Sequence, residues 1–115
     1  MVKYGNGLDA VFLALAHPAR RAMLERLGRG EATVGELAEP LGMSLPAVTK
    51  HLKVMERARL ISRGRSAQWR PCRLEAAPLM AASLWIEDQR QVWEGRLDRL
   101  ETYLGTIKNE EGTER

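Results

Sequence analysis

Two short helical segments separated by a glycine turn, in TVGELAEPLGMSLPAVTKHL, constrain the fold of this chain more than any other feature. Thr33 and Glu36 have the spacing of a capping box, which begins a short helix over VGELAEPL. The segment PLGM then predicts a turn, because Pro40 restricts the residue before it and Gly42 tolerates a positive φ. Ser44 is a suitable cap for a second helix. The segment at about residues 33–58 therefore has the layout of a helix-turn-helix, whose second helix is sized to enter a major groove.

The second predicted helix has two faces when it is read at a period of 3.6 residues. It runs to about Ala58, with Pro46 harmless in its first turn, and Val48, Leu52 and Met55 face inward. The outward positions are Leu45, Pro46, Thr49, Lys50 and Lys53. Hydroxyl and ammonium groups there can bond base edges or phosphates, and the two apolar side chains can contact thymine methyl groups. Ser44 could contact a phosphate while it caps the helix.

A basic hairpin is predicted to follow, in LISRGRSAQWRPCRL. The pattern favours two strands, Leu60 to Arg63 and Ala67 to Leu74, around a Gly/Ser turn, so that a wing occupies about residues 60–74. Pro71 favours an edge position for the second strand. Arg63 and Arg65 lie near the tip, where they could reach the DNA backbone or an adjacent minor groove.

Positive charge is concentrated in this part of the chain. Residues 44–74 contain eight Lys or Arg and one acidic residue, Glu56, which gives a local net charge of +7. The whole chain carries +3, so the remaining residues carry −4. A basic segment on an otherwise acidic molecule is the pattern expected of a contact with double-stranded DNA.

Further helices are predicted on both sides. LDAVFLALA places Leu8, Val11 and Phe12 on one helical face, and PARRAMLERL begins a second helix at Pro18. A long last helix spans about residues 77–107. Five of its apolar positions fall seven residues apart, and two more lie four residues after Trp93 and Leu100: Leu79, Ile86, Trp93, Leu100 and Ile107, then Leu97 and Leu104. So long an apolar stripe exceeds what a small domain covers by itself, which predicts contact with a second copy of the chain.

Length and composition limit the remaining possibilities. The chain has 115 residues, of which 44% are hydrophobic, as expected for a single domain over residues 1–115. The absence of a long apolar run or signal peptide predicts no membrane association and a cytoplasmic location. Two isolated histidines, without a nucleophile motif or a glycine-rich phosphate loop, indicate no catalytic site and no cofactor.

The chain resembles the winged helix-turn-helix repressors of the ArsR family. FLALAHPARRAMLERL, ATVGELAEPLGMSLPAVTKHLKVMERARLI, the wing and the long last helix carry the resemblance, which covers nearly the whole sequence. It implies a mainly α fold with a small β-hairpin and a homodimeric repressor that binds a pseudo-palindromic operator. It also implies dimer contacts through the first and last helices, including Leu8 and Phe12. The family's DNA-reading positions correspond to Ser44, Leu45, Pro46, Thr49 and Lys50, with wing contacts near Arg63 and Arg65.

Two features depart from that family pattern. The chain lacks the paired cysteines of the third helix and the histidines of the last helix that metal sensors use, so no metal site is predicted. Arg59 also replaces the glycine that usually ends the recognition helix. An arginine there needs either a strained positive φ or a different cap.

Several alternatives remain open at this level. The basic residues could be an ordinary solvated face, or could bind an acidic protein partner rather than DNA. An unidentified small-molecule effector is a third functional hypothesis. His51 is interpreted as a packing or capping residue rather than a base reader, His17 as a helix-start residue, and Cys72 as a partly buried strand residue rather than a redox switch. Trp69, Trp85 and Trp93 are interpreted as core or interface residues rather than a ligand cage.

Overall fold

The computed structural model describes residues 5–64 and 70–113 and contains five helices and one hairpin in this range. The elements are α1 (Gly5–Leu15), α2 (Pro18–Leu27), α3 (Val34–Leu41), α4 (Leu45–Arg57), β1 (Ile61–Arg63), β2 (Cys72–Leu74) and α5 (Ala77–Thr113). The mainly α fold with a small hairpin, predicted above, is confirmed. The chain divides into two units between Ala82 and Ser83, and each is described by itself.

The helix starts that were predicted from sequence are present. Thr33 and Glu36 form a reciprocal capping box, in which each side chain accepts the other's backbone N–H. The Ser44 hydroxyl accepts the Ala47 N–H at 3.3 Å and caps α4. His17 caps α2 through Nδ1, which accepts the Ala19 N–H at 3.0 Å. Local capping chemistry thus fixes where three helices begin, each by satisfying a backbone donor that the helix leaves free.

Helix α3 covers VGELAEPL, the segment predicted from sequence, so Pro40 lies inside it and only Gly42 and Met43 of the predicted PLGM turn lie outside the helix. A proline in the last turn of a helix removes one backbone hydrogen bond. The capping box at the N-terminus and the burial of Leu37 and Ala38 stabilise the helix against that loss. The chain leaves α3 at Gly42, which has a φ of 62° as predicted for this glycine.

Both helices of the helix-turn-helix end in the same hydrogen-bond pattern. After α3 the N–H of Gly42 donates to Glu39 and that of Met43 donates to Ala38. After α4 the N–H of Arg59 donates to Glu56 and that of Leu60 donates to Met55. This pattern places one residue in the left-handed region. Arg59 has a φ of 59°, so of the two expectations for this position the strained backbone is the correct one.

Replacing Arg59 by glycine is expected to stabilise the protein. The left-handed conformation costs a non-glycine residue about 1–2 kcal/mol, partly offset by the greater freedom of glycine in the unfolded chain. We therefore expect Arg59→Gly to exceed Arg59→Ala by about 1 kcal/mol in the free energy of unfolding, measured by urea titration. Both variants lose the charge and the exposed side chain, so their difference isolates the backbone. Equal stabilities would contradict a strained helix end.

The hairpin differs from its prediction in the second strand. β1 and β2 pair antiparallel, with Ile61 opposite Leu74 and Arg63 opposite Cys72. The second strand was expected from Ala67, but it begins at Cys72, and positions 67–69 lie outside the described residues. Pro71 precedes the strand because it has no N–H to donate to a ladder, although its carbonyl accepts the Gly64 N–H at 2.8 Å.

The second strand is an edge strand of the two-stranded sheet, as Pro71 suggested, but its first residue has an additional backbone partner. The N–H and the carbonyl of Cys72 both bond to Ala32, at 2.7 and 3.1 Å, in an isolated antiparallel bridge. β1 lies on the other side. Ala32 follows α2, so the loop after α2 supplies the additional pairing that sequence patterns alone did not indicate.

The core of the first unit lies between the helices and the hairpin. Its fully buried large side chains come from four elements and from the turn between α4 and β1: Met23, Leu37, Val48, Leu52, Met55, Leu60 and Cys72. Helix α5 contributes Ala82 from its start. Because α4 buries three residues in this core, its opposite face is held outward.

The second unit consists of α5 from Ser83 onward. The helix continues to Thr113, about six residues beyond its predicted end. Arg90 forms ion pairs with Glu87 and Glu94 at helical spacing along the same helix. None of the described helices is long and apolar enough for a membrane span.

Candidate nucleic-acid interface

Helix α4 presents an exposed polar and basic face. Ser44, Leu45, Pro46, Lys50 and Lys53 are exposed, and Thr49 is half-buried. Val48, Leu52 and Met55 on the opposite side are completely buried. The predicted orientation of the helix is therefore the observed one, and all six candidate DNA-contacting residues of this segment lie on its accessible side. Leu45 is notable because 56% of this large apolar side chain is exposed at the start of the helix.

The two lysines of α4 are electrostatically free in the part of the chain that the structure describes. Neither Lys50 nor Lys53 has a carboxylate within ion-pair distance there. Glu56, the one acidic residue of the basic segment, lies near Arg63 instead. Unpaired ammonium groups on a helix face are available for phosphate groups, and their interaction should be weakened by salt.

Arg63 occupies a different environment from the one expected at a wing tip. Its side chain is only 17% exposed, and its guanidinium lies 3.7 Å from the Glu56 carboxylate. Its Nε is buried without a hydrogen-bond partner among the described residues. The side chain thus lies against the end of α4, where it helps to hold the wing. Its assignment as a DNA contact stays a prediction.

Arg65 and Trp69 lie outside the described residues.

A second ion pair also involves the wing, since Arg73 of β2 donates to Glu31, and this interaction raises the pKa of the arginine. Glu31 precedes Ala32, the residue that bridges to Cys72. The base of the wing is therefore fixed to the loop after α2 by both backbone and side-chain contacts.

A polar cluster beside α4, in which Arg20 is buried, His51 is half-buried and His17 is exposed, was not predicted as a unit. Arg20 of α2 is 9% exposed and donates to the carbonyls of Ala14 and Leu13, both at 2.8 Å, and to Nδ1 of His51 at 3.1 Å. The rings of His17 and His51 lie 4.5 Å apart. Sequence could have indicated the burial of Arg20, which falls four residues before Leu24 on the buried face of α2, but not its partners. His17 is a helix-start residue, as interpreted from sequence.

The predicted dimer residues fall into two groups. Leu8, Phe12 and Leu79 are half-buried and pack against the core of the first unit. In the second unit, Ile86, Trp93, Leu97, Leu100 and Leu104 are exposed, between 48 and 67%. These five residues are called the apolar stripe below. Leu13, Met80, Leu84 and Tyr103 are also exposed large side chains, and sequence reasoning did not assign them.

Cys72 is completely buried rather than partly buried, as the sequence had suggested. Burial raises the pKa of its thiol, which disfavours the thiolate that oxidation and metal binding require. Within the described ranges, no group of three or more His, Cys, Asp or Glu residues is placed to hold a metal ion.

A capped helix, a glycine turn, a second helix with a free basic face and a two-stranded hairpin define a winged helix-turn-helix transcriptional regulator. Comparison with known proteins agrees. A model described as a helix-turn-helix domain matches residues 15–63. The chain is 53% identical over 53 residues to the HTH-type transcriptional regulator Rv2034 of Mycobacterium tuberculosis. The matched region covers 46% of this chain and 50% of that protein.

Two further relatives match over most of their length. The chain is 32% identical over 79 residues to the transcriptional repressor SdpR of Bacillus subtilis, covering 69% of this chain and 88% of that protein. It is 41% identical in sequence to the ArsR family transcriptional regulator RHA00566. The crystal structure of that protein superposes with a TM-score of 0.74, covering 82% of this chain and 97% of that chain. The chain belongs to the ArsR family of winged helix-turn-helix transcriptional regulators. It spans about half the length of Rv2034.

Proposed function

We propose that this chain is a homodimeric repressor that binds a pseudo-palindromic operator through α4. The observation that carries the proposal is the free basic face of α4, which is exposed while three apolar residues of the same helix are fully buried. A helix held in this way presents its N-terminal side chains to a major groove. The similarity to SdpR, a transcriptional repressor, supports repression rather than activation.

The residues proposed to contact DNA divide by chemistry. Lys50 and Lys53 supply charge for phosphate groups or guanine, and Thr49 supplies a hydroxyl for a base edge or phosphate. Leu45 and Pro46 are exposed apolar groups that suit thymine methyls, and Ser44 can reach a phosphate beside its capping bond. Arg65 remains proposed at the wing. Arg63 remains a weaker candidate, since Glu56 already engages its guanidinium.

Dimerisation is proposed through the apolar stripe, with Leu8, Phe12 and Leu79 as further candidate residues. Five large apolar side chains, each about half or more exposed, form one side of α5. A helix with such a stripe is stabilised by packing against another copy, as in coiled coils. A twofold assembly would place two α4 helices in successive major grooves, roughly 34–36 Å apart.

The proposal includes no catalysis and no metal or other cofactor. A DNA-binding regulator must reach the chromosome, so we place this one in the cytoplasm. An unidentified small-molecule effector remains a separate hypothesis, which thermal-shift measurements against candidate ligands would test.

Operator selection tests the proposal directly. We expect the protein to bind a duplex from its own promoter region at least about 1,000-fold more tightly than a scrambled duplex of equal length, measured by fluorescence anisotropy. The logarithm of the binding constant should fall with the logarithm of salt concentration by about 0.9 for each phosphate neutralised. Equal affinity for both duplexes would contradict sequence-specific regulation. Binding to an acidic protein with no DNA preference would favour the alternative, a winged-helix module for protein association.

A further inference from the structure

Three side chains behind α4 form a joint between three helices. His17 lies at the start of α2, Arg20 in its first turn and His51 in the middle of α4. Arg20 also donates to the carbonyls of Leu13 and Ala14 in the last turn of α1, and the Leu13 carbonyl accepts the Ala16 N–H as well. We call His17, Arg20 and His51 the histidine joint. It is a polar connection that links α4 to α1 and α2.

The hydrogen bonds of the histidine joint define the protonation of both rings. A guanidinium can only donate, so Nδ1 of His51 must accept from Arg20. Nδ1 of His17 likewise accepts the Ala19 N–H at the helix start. Each ring therefore carries its single proton on Nε2. A metal ion on the two Nε2 atoms would require a proton on each Nδ1 and would break both bonds, so the arrangement does not suit a metal site.

Protonation would turn both acceptors into donors. His51 would then lose its bond with Arg20, and a charged imidazole would face a buried guanidinium and the second ring, 4.5 Å from its own. The structure opposes this change: burial, His17 and Arg20 together lower the pKa of His51. Among the described residues, α3 and β1 also pack against α4, but none of their charged groups shifts the pKa of His51. Helix α1 faces the joint through its carbonyls.

We propose that the histidine joint is a proton-sensitive positioning device. It holds the recognition helix α4 in the orientation that binds DNA only while both imidazoles are neutral. His51 directly follows Lys50, so the bond from Arg20 fixes the rotation of α4 beside a proposed DNA-contacting residue. The effect on DNA binding rests on the function proposed above, whereas the effect on the fold does not.

The direction of the pH dependence follows from linkage. Above the ordinary histidine pKa of about 6.5, the ring of His51 is neutral in the folded and the unfolded chain, and stability is independent of its titration. Below that pH, the unfolded chain binds a proton that the folded chain does not bind. The free energy of unfolding therefore decreases as the pH is lowered, until the pH reaches the lowered pKa of His51. Carboxylates contribute little above about pH 5.5, because they are ionised in both states there.

The sequence contains only these two histidines, which makes the test specific. We expect the urea midpoint of the wild-type protein to decrease between about pH 7.5 and about pH 5.5. In the double variant His17→Asn and His51→Gln, both replacements keep a hydrogen-bond acceptor but do not titrate, and the midpoint should stay constant over that range. A wild-type curve as flat as that of the double variant would overturn the proposal.

An NMR titration needs no stable double variant. The two histidine rings give two signals, and the single variant His17→Asn assigns the remaining one to His51. The midpoint for His51 should lie below that of a free histidine, and a midpoint at or above it would contradict the joint.

DNA binding supplies the readout that a purely structural role would not change. Below about pH 6.5, at temperatures where both proteins remain folded by circular dichroism, the ratio of wild-type to His51→Gln affinity for the operator should fall. A constant ratio would overturn the positioning role. If neither protein selects the operator at about pH 7.5, the proposed function fails, and the urea and NMR titrations still decide whether the joint responds to protons.

Discussion

Lys50→Glu is expected to abolish operator binding at physiological salt without unfolding the protein. Lys50 is exposed and, within the described residues, without an ion pair, so its replacement leaves no buried group unsatisfied. Loss of one cationic contact costs about 1–3 kcal/mol, and the twofold dimer loses it twice while gaining a carboxylate near each phosphate backbone. We expect the dissociation constant to rise by about 100-fold or more, since each 1.4 kcal/mol is about tenfold.

Arg29→Glu is the matched control for this charge reversal. Arg29 is also exposed, but it follows the far end of α2, whose first end contacts α4 through His17. A ten-residue helix is about 15 Å long, so the control lies well away from the recognition face. Anisotropy titrations should show loss of operator affinity for Lys50→Glu only. For that variant, the slope of the logarithm of the binding constant against the logarithm of salt concentration should fall by about one unit per recognition helix. Similar losses for both variants would indicate a general charge effect instead of a defined interface.

Leu97→Glu is expected to convert the proposed dimer to monomers. Leu97 lies in the middle of the apolar stripe and is 48% exposed in the single chain. Burial of a leucine contributes about 1.5–3 kcal/mol, and a twofold interface contains the residue twice. The introduced carboxylate adds a desolvation cost. We therefore expect the dimer dissociation constant to rise by about 100-fold or more, measured by sedimentation equilibrium.

Gln91→Glu introduces the same carboxylate on the opposite side of the same helix and should leave the dimer intact. Gln91 is exposed, and its position differs from that of Leu97 by six residues, which is more than one and a half helical turns. A monomeric Leu97→Glu variant should also bind the operator much more weakly, because two half-sites can no longer be engaged together. If Leu97→Glu remains dimeric, the apolar stripe is not the interface. If the wild-type chain is itself monomeric, the proposed assembly is wrong.

The helix-turn-helix was predictable because local chemistry specifies it. The capping box of Thr33 and Glu36, the cap at Ser44 and the positive φ at Gly42 each act over only a few residues. The inward face of α4 followed from its period for the same reason, since three buried positions fix the orientation of the remaining ones. The strained end at Arg59 was one of two options that a missing glycine allowed.

Other features depended on contacts between distant segments. The sequence pattern placed Arg63 at an accessible wing tip, whereas the register of β1 and β2 brings it against Glu56 at the end of α4. Cys72 is fully buried in the core of the first unit, and Ala32 pairs with its backbone from the side opposite β1. The half-burial of Leu8 and Phe12 likewise depends on how α1 packs against the core.

The sequence by itself determined the kind of elements, their order, the basic character of α4 and the apolar stripe of α5, because caps, periodicity and charge are properties of neighbouring residues. Only the tertiary structure decided that Arg20, hidden among apolar positions of α2, donates to His51, whose ring lies 4.5 Å from that of His17. That contact requires α1, α2 and α4 to meet, and no local pattern in the chain encodes the distance between their side chains.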